Sequence, residues 1–409
     1  MTADPAAATV ALPAPAATPA ARAKPDMRLL GFLALGHMVI DINQGSFPVI
    51  LPFLKDALNL SYAATGLIVL TANITSSLIQ PLFGYLADKT ARRWLLPLSV
   101  LLSAVGLGFL GLAPSYGAVL ALVVVTGFGV AAYHPEGYRT ATAVAGDRKA
   151  TGVSIFSTGG NIGIAVGPPL LTLLLTTYGL SGSLGMLVPG LLVAALLTAV
   201  LPRLSAPAPA VARDRARAAG ARTMAGAMAL LILVVAIRSW TQLGFTTFMP
   251  FYWRDVLQGD PRLVGTLLAV FLGAGAVGTL AAGPVADRVG VRRYVVSVFL
   301  LAAPLAVGFL FVSSGPLVFV LLALLGFVLV STFTVSVVLG QAYLPKHPGL
   351  ASGLIVGFAI GAGGVGASAL GWVADQWGLT AALAISAGMP LAGFLVALFL
   401  PDPQTGDAG

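Results

Sequence analysis

His37 and Asp41 stand four residues apart in the apolar run 28–54, and Gln44 and Pro48 continue the same helical face. Asp41 falls near the middle of that run. A carboxylate at such depth can bind and release a proton, and an imidazole one turn away can share it or orient the acid. A second acid lies in Tyr133-His134-Pro135-Glu136-Gly137-Tyr138-Arg139, at the end of an apolar run that starts near Tyr116. Glu136 is the only glutamate in the chain, and His134 is one of three histidines. A charge at a bilayer centre costs roughly 2.5–3.5 kcal/mol on insertion scales, so such groups are expected to face a cavity and act there. Asp41 and Glu136 are therefore expected to carry or gate protons, tuned by His37 and His134. The competing reading is structural: Pro135 kinks the helix and Glu136 pairs with Arg139 three residues on.

The opposite charge comes from Arg238-Ser239-Trp240-x-Gln242. Arg238 is placed at mid-span, where its planar fork suits a carboxylate or phosphate group. Its competing role is an ion pair with Asp41 or Glu136.

These residues need elements that hold them at depth. Of 409 residues, 58% are hydrophobic and 9% charged, against roughly 25% charged in soluble domains, so a polytopic membrane protein is expected. Apolar runs long enough to span a bilayer are placed at 28–54, 62–87, 93–113, 116–141, 150–178, 181–201, 223–252, 262–287, 293–313, 316–342, 349–376 and 379–400. The expected fold is all-α, with twelve transmembrane helices. Lys and Arg gather in alternate loops, 18 on one side against Lys55, Arg254 and Arg262 on the other, which places both termini in the cytoplasm. The net charge of +8 follows this bias and does not point to nucleic acid. The absence of cysteine excludes a thiolate metal site, and neither a metal nor a cofactor is expected. Residues 1–27 are expected to be a disordered tail without a signal peptide, 28–201 and 223–400 two six-helix halves, 202–222 a cytoplasmic linker, and 401–409 a cytoplasmic tail.

The halves repeat. Gly84-Tyr85-Leu86-Ala87-Asp88-Lys89 recurs as Gly283-Pro284-Val285-Ala286-Asp287-Arg288, at an offset of 199. Gln44, Pro52 and Phe53 recur as Gln242, Pro250 and Phe251, and Gly152 and Gly163 meet Gly353 and Gly364. Duplicated six-span halves are a transporter architecture, with the substrate site at the midplane between them. In the doubled loop, glycine is expected to permit close helix approach. The acids and bases Asp88, Lys89, Arg93, Asp287, Arg288 and Arg292 are expected to latch the cytoplasmic side. Gly163, Gly167 and Pro168 share a run in span 5 suited to close packing and bending.

The doubled loop resembles the signature of the major facilitator superfamily. The resemblance implies its twelve-helix fold and covers about residues 28–400. The first copy departs from it, with Ala91 where the second has Gly290. Span 5 looks like the antiporter motif of drug exporters but has Leu170-Leu171 for its closing glycines, and span 4 lacks their arginine. His37-x3-Asp41-x2-Gln44-Gly45, His134-Pro135-Glu136, Gly159-Gly160-Asn161, Arg238-Ser239-Trp240 and the glycines from Gly357 to Gly366 together resemble the fosmidomycin resistance family. That resemblance implies export, with proton exchange, of small drugs including an anionic phosphonate.

The expectation is thus an inner-membrane exporter, not an enzyme, working as a monomer by alternating access on small anionic compounds. Arg238, Gln44, Asn161, Trp240 and Gln242 are expected to line the substrate cavity, with Phe248 and Tyr252 capping it from outside. A proton symporter importing an organic acid or sugar is the alternative. A membrane enzyme or receptor would need a nucleophile with its base, a metal cluster or a folded soluble domain, and the sequence offers none.

Overall fold

In hydrocarbon every backbone polar group must be satisfied within the protein, which a helix does inside one segment. The computed structural model describes residues 25–89, 92–146, 149–204, 223–312, 315–345, 350–351 and 354–403, and among these it is helical with no strand. Of the expected tails and linker, residues 1–24, 205–222 and 404–409 lie outside the described residues; Met27 already begins a helix, and a 3₁₀ turn, Leu201–Arg203, runs into the start of the expected linker.

In chain order the helices are α1 (Met27–Leu58), α2 (Tyr62–Asn73), α3 (Gln80–Lys89), α4 (Leu95–Leu110), α5 (Tyr116–Val144), α6 (Lys149–Tyr178) and α7 (Leu187–Val200). The second half holds α8 (Ala225–Phe251), α9 (Val264–Val289), α10 (Val291–Phe309), α11 (Pro316–Tyr343), α12 (Ile360–Trp377) and α13 (Leu379–Ala397). A π turn, Ile74–Leu78, joins α2 to α3 into one span, and a second, Leu354–Ala359, leads into α12. Twelve spans result. Asp26 caps α1 by accepting from the amides of Arg28 and Leu29, and Asn59 ends it in the left-handed conformation that stops a helix.

Eight described helices are long and apolar enough to be recognised as spans, one of them the continuous run Ser154–Arg203 that contains both α6 and α7. The other three spans fall short for physical reasons. α1 interrupts its apolar run with His37, Asp41, Asn43 and Gln44, α4 has only 16 residues, and α12 is rich in glycine. The sixth span also starts later than 181, because 3₁₀ turns occupy Gly179–Met186.

The repeat is visible in the packing. Within the halves, α1 lies along α6 as α8 lies along α12, and α4 contacts α5 and α7 as α10 contacts α11 and α13. Between the halves, α2 packs on α12 and α6 on α9, a pair exchanged by the repeat. The tightest of these contacts is α1 on α6. A Cβ at Gly159, Gly163 or Gly167 would strike the backbone carbonyl of Ala34, Met38 or Ile42, so only glycine permits this approach.

We call the side where α1 begins and α13 ends the terminus face and the opposite side the far face. At the far face the halves are tied together. Arg254 forks onto Asp56 at 2.8 and 3.1 Å and also holds Asp255 at 2.7 Å. Tyr62 donates its hydroxyl to Asp255 at 3.0 Å. Asp375, at the end of α12, accepts the amides of Tyr62 and Ala63 at 2.7 and 2.8 Å and so caps α2 from the other half. Packing loosens along the same helices toward the terminus face. A Cβ at Gly66 would lie 2.7 Å from the Ala367 carbonyl, whereas one at Gly357 would be 3.4 Å from Pro81.

Candidate functional site

His37 and His134 converge on Asp41. Their Nε2 atoms lie 3.3 and 3.4 Å from its two carboxylate oxygens. The Nδ1 atom of His37 sits 2.8 Å from the Phe156 carbonyl, and that of His134 2.8 Å from the Val130 carbonyl. A carbonyl only accepts, so each Nδ1 carries a hydrogen. Each Nε2 then attracts the carboxylate only when a proton lies on the imidazole or on the acid; otherwise lone pairs face lone pairs. The three groups can face one another in this way when a proton or another cation lies among them. Its contacts are ion-pair contacts and not tight hydrogen bonds, since Asp41 Oδ1 is buried without a hydrogen-bond partner. The same three groups offer ligand atoms within 4.8 Å of one another, a set that can also hold a metal ion.

Neighbouring elements fix this geometry. His37 stacks on the Phe156 ring at 4.2 Å and meets Tyr138 edge-on at 5.9 Å. Gly160 brings α6 against the triad: a Cβ there would lie 2.7 Å from His37 Nε2. His134 keeps 16% of its side chain exposed, against 4% for His37 and 7% for Asp41.

Glu136 stands apart from this cluster. Side chains two residues apart on a helix point about 200° from each other, so with His134 turned to Asp41, Glu136 turns elsewhere. Its Oε1 accepts from Arg139 at 3.2 Å, while Oε2 is buried without a partner.

Arg238 is buried and has no carboxylate within ion-pair distance among the described residues. The competing ion pair with Asp41 or Glu136 is not formed, because those acids face the imidazoles and Arg139. Arg238 Nη1 donates to Gln242 Oε1 at 2.7 Å, its Nη2 reaches Ser239 Oγ at 3.4 Å, and its Nε has no partner. The guanidinium also lies 5.8 Å from the centre of the Phe333 ring.

A cavity of about 170 Å³ opens between the halves. Gln44, Gln242, Asn73, Ser76, Thr126 and Thr246 give it amide and hydroxyl groups, and Pro48, Val130 and Leu272 are among its apolar lining. Of the expected lining residues, Gln44 and Gln242 are on its wall. Arg238, Asn161, Trp240, Phe248 and Tyr252 are not among the lining residues. Arg238 reaches the cavity only through Gln242. Trp240 donates its indole N–H to the Ala362 carbonyl at 2.6 Å and fastens α8 to α12. Phe248 and Tyr252 pack with Phe251 and Phe309 in the far-face core. Asn161 is half-buried on α6. Asn73, Ser76, Thr126 and Thr246 are absent from the sequence reading, although their signal is present: polar residues inside apolar runs, with Thr246 one turn after Gln242.

The doubled loop is described mainly in its second copy. For Gly84, Asp88, Lys89 and Asp287 only the backbone is described, and Ala91 lies outside the described residues. Arg93 is half-buried and Arg288 exposed. Arg292 bonds the carbonyls of Leu398 and Leu400 and so ties the start of α10 to the residues just after α13 within its own half. Gly283 is exposed with nothing within reach of a Cβ, so in this conformation it supplies no close helix approach. Gly290, at φ +91°, makes the turn between α9 and α10.

Comparison with known proteins agrees with this architecture. The family model described as Major Facilitator Superfamily matches residues 33–355 and 231–409. The chain is 32% identical over 397 residues to the fosmidomycin resistance protein of Escherichia coli (strain K12), covering 96% of this chain and 97% of that one. It is 34% identical over 384 residues to the uncharacterized MFS-type transporter YfnC of Bacillus subtilis (strain 168), covering 92% and 93%. The fold is similar to that of the nucleoside transporter NupG, with a TM-score of 0.70 at 17% identity over 91% of this chain and 99% of that one. It is also similar to a bacterial homologue of the human lysosomal transporter Spinster, with a TM-score of 0.69 at 17% identity over 91% and 94%. With twelve spans in two repeated halves, a cavity between them and relatives matched end to end, the chain belongs to the major facilitator superfamily of membrane transporters.

Proposed function

We propose that the protein exports small anionic compounds across a bacterial inner membrane in exchange for protons, with both termini in the cytoplasm. The observation that carries the reading is the His37–Asp41–His134 triad: two imidazoles with their Nδ1 hydrogens committed, facing one buried carboxylate. Such a site must gain or lose protons to change its contacts, and the substrate cavity adjoins it through Gln44, three residues from Asp41, and through Val130, whose carbonyl holds His134. The proton enters and leaves by His134, the most exposed of the three. The anion is drawn by Arg238, a buried charge without a counter-ion among the described residues, acting at the cavity wall through Gln242. The relative named for fosmidomycin resistance supports export of such compounds.

The test uses everted vesicles energised to an acidic lumen, in chelator-treated buffer so that no metal occupies the triad. Adding a phosphonate outside is expected to alkalinise the lumen. A lumen that stays acid while the compound enters overturns proton exchange.

In this account Glu136 is a structural partner of Arg139. Glu136→Gln is expected to retain proton-driven transport within about three-fold, since the lost pair leaves a partly exposed arginine that water can serve. Loss of gradient-driven transport with intact gradient-free exchange in this variant would return Glu136 to the proton path, as the sequence alone suggests.

Alternating access then requires the far-face contacts to break. Charge-assisted hydrogen bonds contribute about 1.5–3 kcal/mol each, less where the acid is exposed, as Asp375 is. Asp375→Asn is expected to raise the far-face-open population about ten-fold. The chain has no cysteine, so a single Ser76→Cys reporter in the cavity wall can be labelled by an impermeant maleimide from the far side. An unchanged labelling rate in the Asp375→Asn background means that the cap does not hold the halves together.

A further inference from the structure

Of the three amides that line the cavity, Gln242 and Asn73 come from opposite halves, and their committed ends are opposite in kind. Gln242, on α8, accepts from the Arg238 guanidinium through Oε1 at 2.7 Å. A guanidinium only donates, so the amide oxygen is used and the NH₂ group remains for the cavity. Asn73, on α2, donates Nδ2 to the Val69 carbonyl at 3.0 Å. A carbonyl only accepts, so the bonded end is the NH₂ group, one of its two N–H donors is committed, and Oδ1 has no hydrogen-bond partner among the described residues. The two neighbours dictate these orientations, which leaves no freedom to exchange nitrogen and oxygen. Gln242 therefore offers the cavity a donor backed by positive charge from one half, and Asn73 offers it an acceptor from the other. Asn73 is the last residue of α2 before the π turn Ile74–Leu78, the kind of local irregularity that gathers at functional sites. The lining contains no charged side chain, so nothing ionic selects the end of a ligand remote from Gln242. Both amides line the same cavity of about 170 Å³, so one ligand held there can meet both.

We infer that Asn73 is a specificity-determining residue that accepts a hydrogen bond from an O–H or N–H group on the substrate, at the end away from the anion. The inference rests on the anion reading proposed above and adds the requirement for a donor. An anion lacking that donor leaves the Asn73 oxygen desolvated without a partner, which lowers affinity about ten-fold.

Three probes separate the two readings in calorimetric titrations of the purified full chain. They are 3-hydroxypropylphosphonate, its methyl ether 3-methoxypropylphosphonate, and the uncharged dimethyl ester of the first. The native protein is expected to bind the alcohol about ten-fold tighter than the ether. Asn73→Leu is expected to bind alcohol and ether equally, with an unchanged melting temperature and an undiminished preference for the phosphonate over its ester. Asn73→Asp keeps an acceptor oxygen, so it should weaken both phosphonates through charge yet retain the preference for the alcohol. Equal binding of alcohol and ether by the native protein overturns the inference, as does a ten-fold preference that survives in Asn73→Leu. Loss of the phosphonate-over-ester preference in the native protein overturns the anion reading alone, because alcohol and ether are compared within one charge state. Absence of binding by all three probes overturns both.

Discussion

Asp41→Asn is expected to abolish proton-driven transport, lowering its rate at least about 10²-fold, the usual contribution of a positioned proton-transfer group. Substrate exchange without a gradient should remain within a few-fold of the native rate. The separation follows from the triad's hydrogen bonding. With both Nδ1 hydrogens committed to carbonyls, the only variable protons are those between the two Nε2 atoms and the carboxylate. An asparagine in this place offers one acceptor and one donor face of fixed kind. It can satisfy one protonated and one neutral imidazole permanently, so the site keeps its shape and loses its ability to change charge. The surroundings should tolerate the change, because Asn and Asp have nearly the same volume and Gly160 leaves room for no larger side chain. Transport measured with and without an imposed proton gradient checks this. Equal losses in both assays would mean that Asp41 is needed for structure or substrate passage and not for coupling.

Arg238→Met is expected to weaken binding of anionic substrates about 10²-fold while leaving the protein as stable as before or more so. A buried guanidinium without a counter-ion is costly, and apolar residues of similar volume in place of buried charge are often neutral or stabilising. Val234, Val235 and Phe333 nearby suit a thioether. The variant removes the positive charge behind the cavity wall and frees Gln242 Oε1 to turn into the cavity, where it repels an anion. Arg238→Lys should fall between, since it retains charge but loses the fork that holds both Gln242 and Ser239. Thermal melting and titration with phosphonate and neutral analogues read the two effects separately. A fall in stability with unchanged anion affinity would mark Arg238 as a packing residue.

Much of this architecture is legible in the sequence because bilayer physics leaves few choices. Runs of about 20 apolar residues must be helices, and the repeat of Gly84–Lys89 in Gly283–Arg288 fixes how the halves correspond. The union of His37 and Asp41 also follows from spacing, being four residues apart on one helix. The approach of His134 to the same carboxylate does not, since it depends on how closely α5 docks against α1, where a Cβ at Gly36 would strike the Tyr133 hydroxyl. Helical phase does hold a clue against Glu136 as its companion: residues 134 and 136 lie on opposite sides of one helix, so they cannot both face Asp41. Trp240, Phe248 and Tyr252 carry the types expected of a binding site, yet their neighbours draw them into the Ala362 contact and the far-face core. The cavity's hydroxyls and Asn73 escape notice because a single Ser, Thr or Asn within an apolar run is commonly satisfied by its own helix, as Thr246 is by the Gln242 carbonyl.

The central claim is that the His37–Asp41–His134 triad holds the exchanged proton, and substrate-induced proton release tests it most directly. Purified protein in weakly buffered, chelator-treated solution is mixed with 3-hydroxypropylphosphonate, and a pH indicator records the protons displaced. The native protein and Glu136→Gln are expected to release protons in proportion to bound substrate, and Asp41→Asn to bind the substrate and release none. Undiminished release from Asp41→Asn would contradict the account and place the proton on another group.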